Sequence, residues 1–171
     1  LADLARLRPF RRERLSSWDR TGANRDFVLV APGARVSLGA IEGAGCVKHI
    51  WVTTMPIRPE EHDLCGLVLR MWWDGEASPS VEVPLGDFFC LGNSLVNSFQ
   101  SALFTASTPR NHQFDQGCAL NCYAAMPFKR RAKIEIVNES AATHMQYFYI
   151  DYERYPAWSE ELGYFHAEFR R

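Results

Sequence analysis

Apolar and polar positions along this chain recur mostly with a period of two, in short runs bounded by turn residues, and helical periodicity is nearly absent. Phe27 to Val30 stops at Pro32-Gly33, Arg35 to Ile41 stops at Gly43-Ala44-Gly45, and Val47 to Thr54 stops at Met55-Pro56. Each run reads as a strand. Leu67 to Trp73 meets Asp74-Gly75, a dipeptide favoured where both central turn residues take positive φ, and Ser80 to Val83 can return as its partner. Ala132 to Ile136 alternates cleanly, which predicts Ala132, Ile134 and Ile136 inward and Lys133 and Glu135 in water. Gln146 to Tyr152 is apolar on both faces, so it is expected to lie centrally or to face another subunit. Leu91 to Pro109 shows no clear strand pattern and is expected to form a functional loop or rim. Only the opening, Leu1 to Arg8, predicts a helix, short and amphipathic, ending before Pro9. The whole pattern predicts an all-β sandwich or barrel with no internal linker.

Composition narrows the function classes. A chain of 171 residues, 47% hydrophobic and 23% charged, can bury a sizeable core, and no apolar run approaches the roughly 20 residues of a bilayer span. With 19 Lys plus Arg against 20 Asp plus Glu there is no chain-wide field to gather nucleic acid. Neither nucleic acid nor membrane is therefore expected as a partner. The five cysteines are an odd number in mostly apolar segments, which suits buried thiols in a reducing compartment. The opening residues lack a signal-peptide pattern, so a cytoplasmic location is expected.

Candidate chemistry is sparse. The five histidines never fall at paired ligand spacing and Cys118-x-x-x-Cys122 stands alone, so no metal site is expected. Nucleophile-elbow and phosphate-loop motifs are missing as well. What remains is a set of carboxylates beside turns: Asp19, Asp26, Glu42, Asp74, Glu76 and Asp87. Two of them facing each other across about 5 Å or more would suit glycoside hydrolysis, but spacing does not say which two. On the run Val47 to Thr53, Ile50 and Val52 share one face and His49 and Trp51 the other. His49 and Trp51 could form a sugar platform; alternatively Trp51 is core and His49 its hydrogen-bonded neighbour. Trp72 and Trp73 are consecutive, so one is expected to point away from the core.

Several stretches, taken in order, carry a family resemblance. They are Ser17-Trp18-Asp19-Arg20-Thr21-Gly22-Ala23-Asn24, Ile41-Glu42-Gly43-Ala44-Gly45-Cys46-Val47-Lys48-His49-Ile50-Trp51, and Leu69-Arg70-Met71-Trp72-Trp73-Asp74-Gly75-Glu76. Pro79 to Phe89, Asn121 to Phe128, Tyr149 to Glu153 and Gly163 to Arg171 follow. The chain resembles the N-terminal half of glycoside hydrolase family 172 over nearly its whole length. The resemblance implies a jelly-roll β-sandwich over 17–171, the first of two, preceded by a helix and arm over 1–16. It implies an exo-acting, anomer-retaining activity on α-D-fructofuranosides or α-D-arabinofuranosides, a homotrimer or homohexamer, and no cofactor. The family's catalytic glutamates lie in the second half, in a Gly-Thr-Glu-Asp-Tyr type motif that this sequence does not contain. No nucleophile or acid/base residue is therefore carried over, and the 171-residue chain is expected to be silent alone.

The matched residues point instead to substrate contacts. Asp19, Arg20, Thr21 and Asn24 bunch a carboxylate, a guanidinium, a hydroxyl and an amide around a turn, the groups needed to hold furanose hydroxyls. The same pattern also fits an Asx-type turn that satisfies its own backbone. Asp87 beside Phe88 and Phe89 is a second candidate, and His166 and Arg170 could reach a neighbouring subunit's pocket. Two other readings stay open: a capsid-like self-assembling jelly roll, and a non-catalytic carbohydrate-binding module.

Overall fold

The computed structural model describes residues 7–57, 64–92, 95–109 and 118–170. Turn chemistry divides the chain into β1 (Arg11–Ser16), β2 (Val28–Val30), β3 (Arg35–Glu42), β4 (Gly45–Pro56), β5 (Leu67–Trp73) and β6 (Val81–Pro84). The one-turn helix α1 (Leu85–Phe88) follows. Then come β7 (Phe99–Gln100), β8 (Phe104–Ser107), β9 (Ala119–Cys122), β10 (Met126–Phe128), β11 (Arg131–Asn138), β12 (His144–Arg154) and β13 (Ala167–Glu168). The front sheet runs β1-β12-β4-β9-β8-β7, with β2 also on β12 and β10 also on β4. The back sheet runs β13-β6-β5-β11-β3.

The pairing is that of a jelly roll. In chain order β1, β3, β4, β5, β6, β9, β11 and β12, the first strand pairs with the last, the second with the seventh, the third with the sixth and the fourth with the fifth. This is one long hairpin rolled into two facing sheets. Val47, Ile50, Val52, Phe148 and Ile150 of the front sheet face Ile41, Leu69, Met71, Trp73, Ile134 and Ile136 of the back sheet in one core. Leu85, Phe88 and Phe89 close one side, with Phe88 and Phe89 edge to face at 5.0 Å. The sandwich is thus what the period-two pattern predicts, and β12 lies centrally between β1 and β4.

The hairpin signal at Asp74-Gly75 holds, with an addition. Asp74 and Gly75 both have positive φ (56° and 81°), and Glu76 N donates to Trp73 O at 3.1 Å. Beyond the turn the strands do not pair at once. The Glu76 carboxylate instead accepts from the backbone N–H groups of Trp73 (2.9 Å) and Ser80 (3.0 Å), bridging the gap until Met71 meets Val81. Trp73 is buried and Trp72 points out under Lys133, so one tryptophan does leave the core.

Three expectations need adjustment. Glu135 is not in water: it shares the Lys133 side of β11, as the alternation predicts, but it is buried there and pairs with Lys133 at 2.6 Å, beside a register shift whose extra residue is Leu38 of β3. The stretch 91–109 contains β7 and β8, which form an edge hairpin of the front sheet. Of the predicted helix, residues 1–6 lie outside the described residues, and Leu7 and Arg8 are not helical. The segment read as an arm supplies β1, paired with β12 from Arg11↔Arg154 to Ser16↔Tyr149.

Candidate functional site

The solvent face of the front sheet owes its chemistry to a β-bulge. Asp151 pairs with His49 but Tyr152 pairs with Val47, so Lys48 is an extra residue in β4. Val47 and Ile50 consequently both face the core three residues apart, and Lys48 and His49 both line the outer surface. Without the bulge, strict alternation would bury one of them.

Asp151 is the hub of this face. Its Oδ1 accepts from Arg14 Nε at 2.6 Å and its Oδ2 from Arg14 Nη2 at 3.0 Å, a two-pronged guanidinium fork. His49 Nδ1 lies 3.0 Å from the same Oδ2. Partial burial acts to raise the Asp151 pKa, but the bonds from Arg14 and His49 outweigh it and hold the carboxyl below its usual range. On its other side His49 Nε2 is 3.0 Å from Asn121 Oδ1, and Asn121 Nδ2 donates to Thr105 Oγ1 at 3.1 Å.

Aromatic rings flank this polar line. Tyr123 stacks on His49 with centroids 4.7 Å apart, and Trp51 stacks on Tyr149 at 4.9 Å. The Arg14 guanidinium lies over the Tyr149 ring, 4.5 Å from its centre. A concavity of about 490 Å³ opens here, lined by Arg12, Arg14, Lys48, His49, Tyr123 and Asp151 among others. Two further carboxylates border it, and both are engaged. Glu13 accepts from Tyr152 Oη at 2.7 Å and pairs with Arg154 at 2.8 Å. Glu153, nearly buried, accepts from Tyr155 Oη at 3.1 Å and lies 3.7 Å from Arg12.

The nine residues singled out from the sequence fall in four places. His49 and Trp51 do share the outer face, and neither is a core residue. The 19–24 loop lies next to the β1 end of the front sheet, where Ser17 N donates to Phe148 O. Within it Asp19 Oδ1 accepts from Thr21 N (2.8 Å) and Thr21 Oγ1 (2.7 Å), and Oδ2 from Arg25 N (3.2 Å). These bonds hold the Asp19 carboxyl below its usual pKa and form the Asx-type turn that the sequence also allowed. Asn24 takes positive φ (59°), and Arg20 lies over the exposed Trp18 ring. Asp87 is on α1, beside the back sheet. His166 lines a separate cavity of about 530 Å³ with Asp74, Glu76, Lys129 and Tyr164, and Arg170 pairs with Glu168 at 2.8 Å.

Sequence reasoning missed Arg14, Lys48, Thr105, Asn121, Tyr123, Tyr149 and Asp151. The signal for part of this set was present: with Phe148 and Ile150 inward, Tyr149 and Asp151 must share the opposite face of β12. The bulge that exposes Lys48 carries no comparable mark. Among the described residues no cluster of three or more metal-ligating side chains occurs.

No curated protein matches the chain. A family model for the GH172 first beta-sandwich domain matches residues 8–170. That span contains both sheets and every side chain of the outer-face constellation, and the chain therefore belongs to glycoside hydrolase family 172 as its first β-sandwich domain.

Proposed function

We propose that this domain supplies sugar contacts and an oligomer surface to an exo-acting, retaining hydrolase of α-D-fructofuranosides or α-D-arabinofuranosides, and that it binds without cleaving. One observation carries the reading: the outer face joins Arg14, Asp151, His49 and Asn121 to the rings of Trp51, Tyr149 and Tyr123. Fixed polar groups beside aromatic faces are what a sugar ring needs, hydroxyls for the one and C–H faces for the other.

Hydrolysis by this face is disfavoured by its carboxylates. A general acid must hold a proton near neutral pH, and a nucleophile must be free to approach the anomeric carbon. Asp151 is held ionised in the Arg14 fork, Glu13 is tied to Arg154 and Tyr152, and Glu153 to Tyr155. Each acts as a partner for its neighbours. Self-association, expected as three or six copies from the family resemblance, draws support only as a surface: Leu29, Met145 and Met55 stand side by side across β2, β12 and β4, with Leu29 half-exposed.

Calorimetric titration with an α-D-arabinofuranoside and a difructose anhydride tests binding, and release of reducing sugar from an aryl α-D-arabinofuranoside tests cleavage. Binding with no turnover is expected, and Trp51→Ala should abolish the heat of binding while the chain stays folded. Turnover by the 171-residue chain, or ordered assemblies that bind neither sugar, would overturn the proposal in favour of an autonomous enzyme or a structural protein.

A further inference from the structure

We infer that the outer face is a linear track for several sugar rings laid across the strands, so that its ligand is an oligosaccharide and not a single furanose. The inference rests on the sugar-binding reading above and adds the length and direction of the ligand. Arg14, Asp151, His49, Asn121 and Thr105 come from five consecutive strands of the front sheet, β1, β12, β4, β9 and β8. Each is bonded to the next, at 2.6, 3.0, 3.0 and 3.1 Å in turn. Five strands at the usual spacing of ~4.8 Å make the row roughly 19 Å long, well beyond one five-membered ring.

The chemistry of the row fits hydroxyls along its whole length. The Arg14 and Asp151 charges cancel in their fork, which leaves the row itself no net field to draw a polyanion. Bonding capacity remains open toward solvent: Thr105 Oγ1 accepts from Asn121 and so keeps its own O–H to donate, and Asn121 Nδ2 keeps its second hydrogen. Rings stand beside the row on both sides. Trp51 and Tyr149 lie two residues along β4 and β12 from His49 and Asp151, and Tyr123 lies just past the end of β9, two residues from Asn121. Tyr123 is 48% exposed, with His49 stacked on one side of its ring, whereas Tyr149 is held between Trp51 and the Arg14 guanidinium, so Tyr123 offers the ring surface to a ligand lying on the row.

Linear α-linked arabinofuranose oligomers of one to four residues, titrated into the isotope-labelled 171-residue chain and followed by calorimetry and NMR, test this. Affinity should rise at least about tenfold from the monosaccharide to the tetrasaccharide. The longer ligand should shift the Thr105 methyl and Arg14 side-chain signals together, and the monosaccharide should reach only one of them. Thr105→Val, which removes the hydroxyl and keeps the shape, should weaken the tetrasaccharide several-fold and shrink the gain in affinity from monosaccharide to tetrasaccharide. Equal affinity at every length, or a tetrasaccharide that leaves Thr105 unshifted, would overturn the track while preserving sugar binding. No binding at any length would overturn both readings.

Discussion

Asp151 of β12 and His49 of β4 lie directly opposite one another, and a single carboxylate oxygen of Asp151 serves both the imidazole Nδ1 at 3.0 Å and the Arg14 guanidinium at 3.0 Å. Three strands are thereby joined through one side chain.

Asp151→Asn removes the charge that orients both neighbours. Because the site is partly solvated, the stability cost is expected to be only about 1 kcal/mol. Binding should suffer more, with a tenfold or greater loss of affinity of roughly 1.4 kcal/mol, since Arg14 and His49 lose their common anchor. Chemical denaturation and calorimetry on the same variant separate the two.

The same residue sets a pH response. Its folded pKa is depressed below the ordinary value of about 3.9, so its stabilising contribution is complete above that value and disappears as pH falls through the folded pKa. Denaturation midpoints of wild type and Asp151→Asn should therefore differ at pH 6 and converge on acidification below roughly pH 4. A gap that persists unchanged at acid pH would assign the wild-type advantage to shape and not to charge.

Gly45→Ala should be among the most damaging substitutions of a small residue. A methyl group at Gly45 would run into the Glu153 carbonyl oxygen and come within 2.8 Å of the Phe128 ring, and neither neighbour can yield easily. Overpacking of this kind costs about 1–3 kcal/mol, readable as a lowered urea midpoint.

Glu76→Ala should loosen the β5–β6 connection. It leaves the N–H groups of Trp73 and Ser80 without their shared acceptor, for an expected loss of about 1–3 kcal/mol. Hydrogen exchange at those two amides should accelerate while the β11 amides stay protected.

Thiol labelling should follow burial. Burial pushes Cys118 up to about 12 and Cys122 up to about 11, whereas Cys90 is exposed. Mass spectrometry after iodoacetamide treatment is expected to find Cys90 alkylated in the native chain and Cys118 and Cys122 only after unfolding.

The architecture was legible because strand alternation and turn residues are local signals. Asp74-Gly75 announced its turn, and the doubly apolar run around Phe148 announced a central strand. The outer-face site was half legible. His49 and Trp51 came from period-two reasoning, but Arg14, Asn121 and Thr105 join them only through strand order, which no local pattern encodes. Lys48 eluded the same reasoning because it is the extra residue of a bulge, where counting by twos fails, and Glu135 because it keeps the predicted face of β11 yet is covered there. The 19–24 loop shows the opposite case, a cluster rich in ligand-like groups whose carboxylate serves its own backbone.

The pairing of β1 with β12 also governs how the molecule comes to be. Residues 11–16 must wait for residues 144–154 before their backbone groups find partners, and β3 must wait likewise for β11. Until β12 is in place the edge of β1 stays unclosed, and the penalty of bringing such distant segments together falls before any reward. Slow folding is the expected cost of setting β1 beside β12, more than a hundred residues later in the chain.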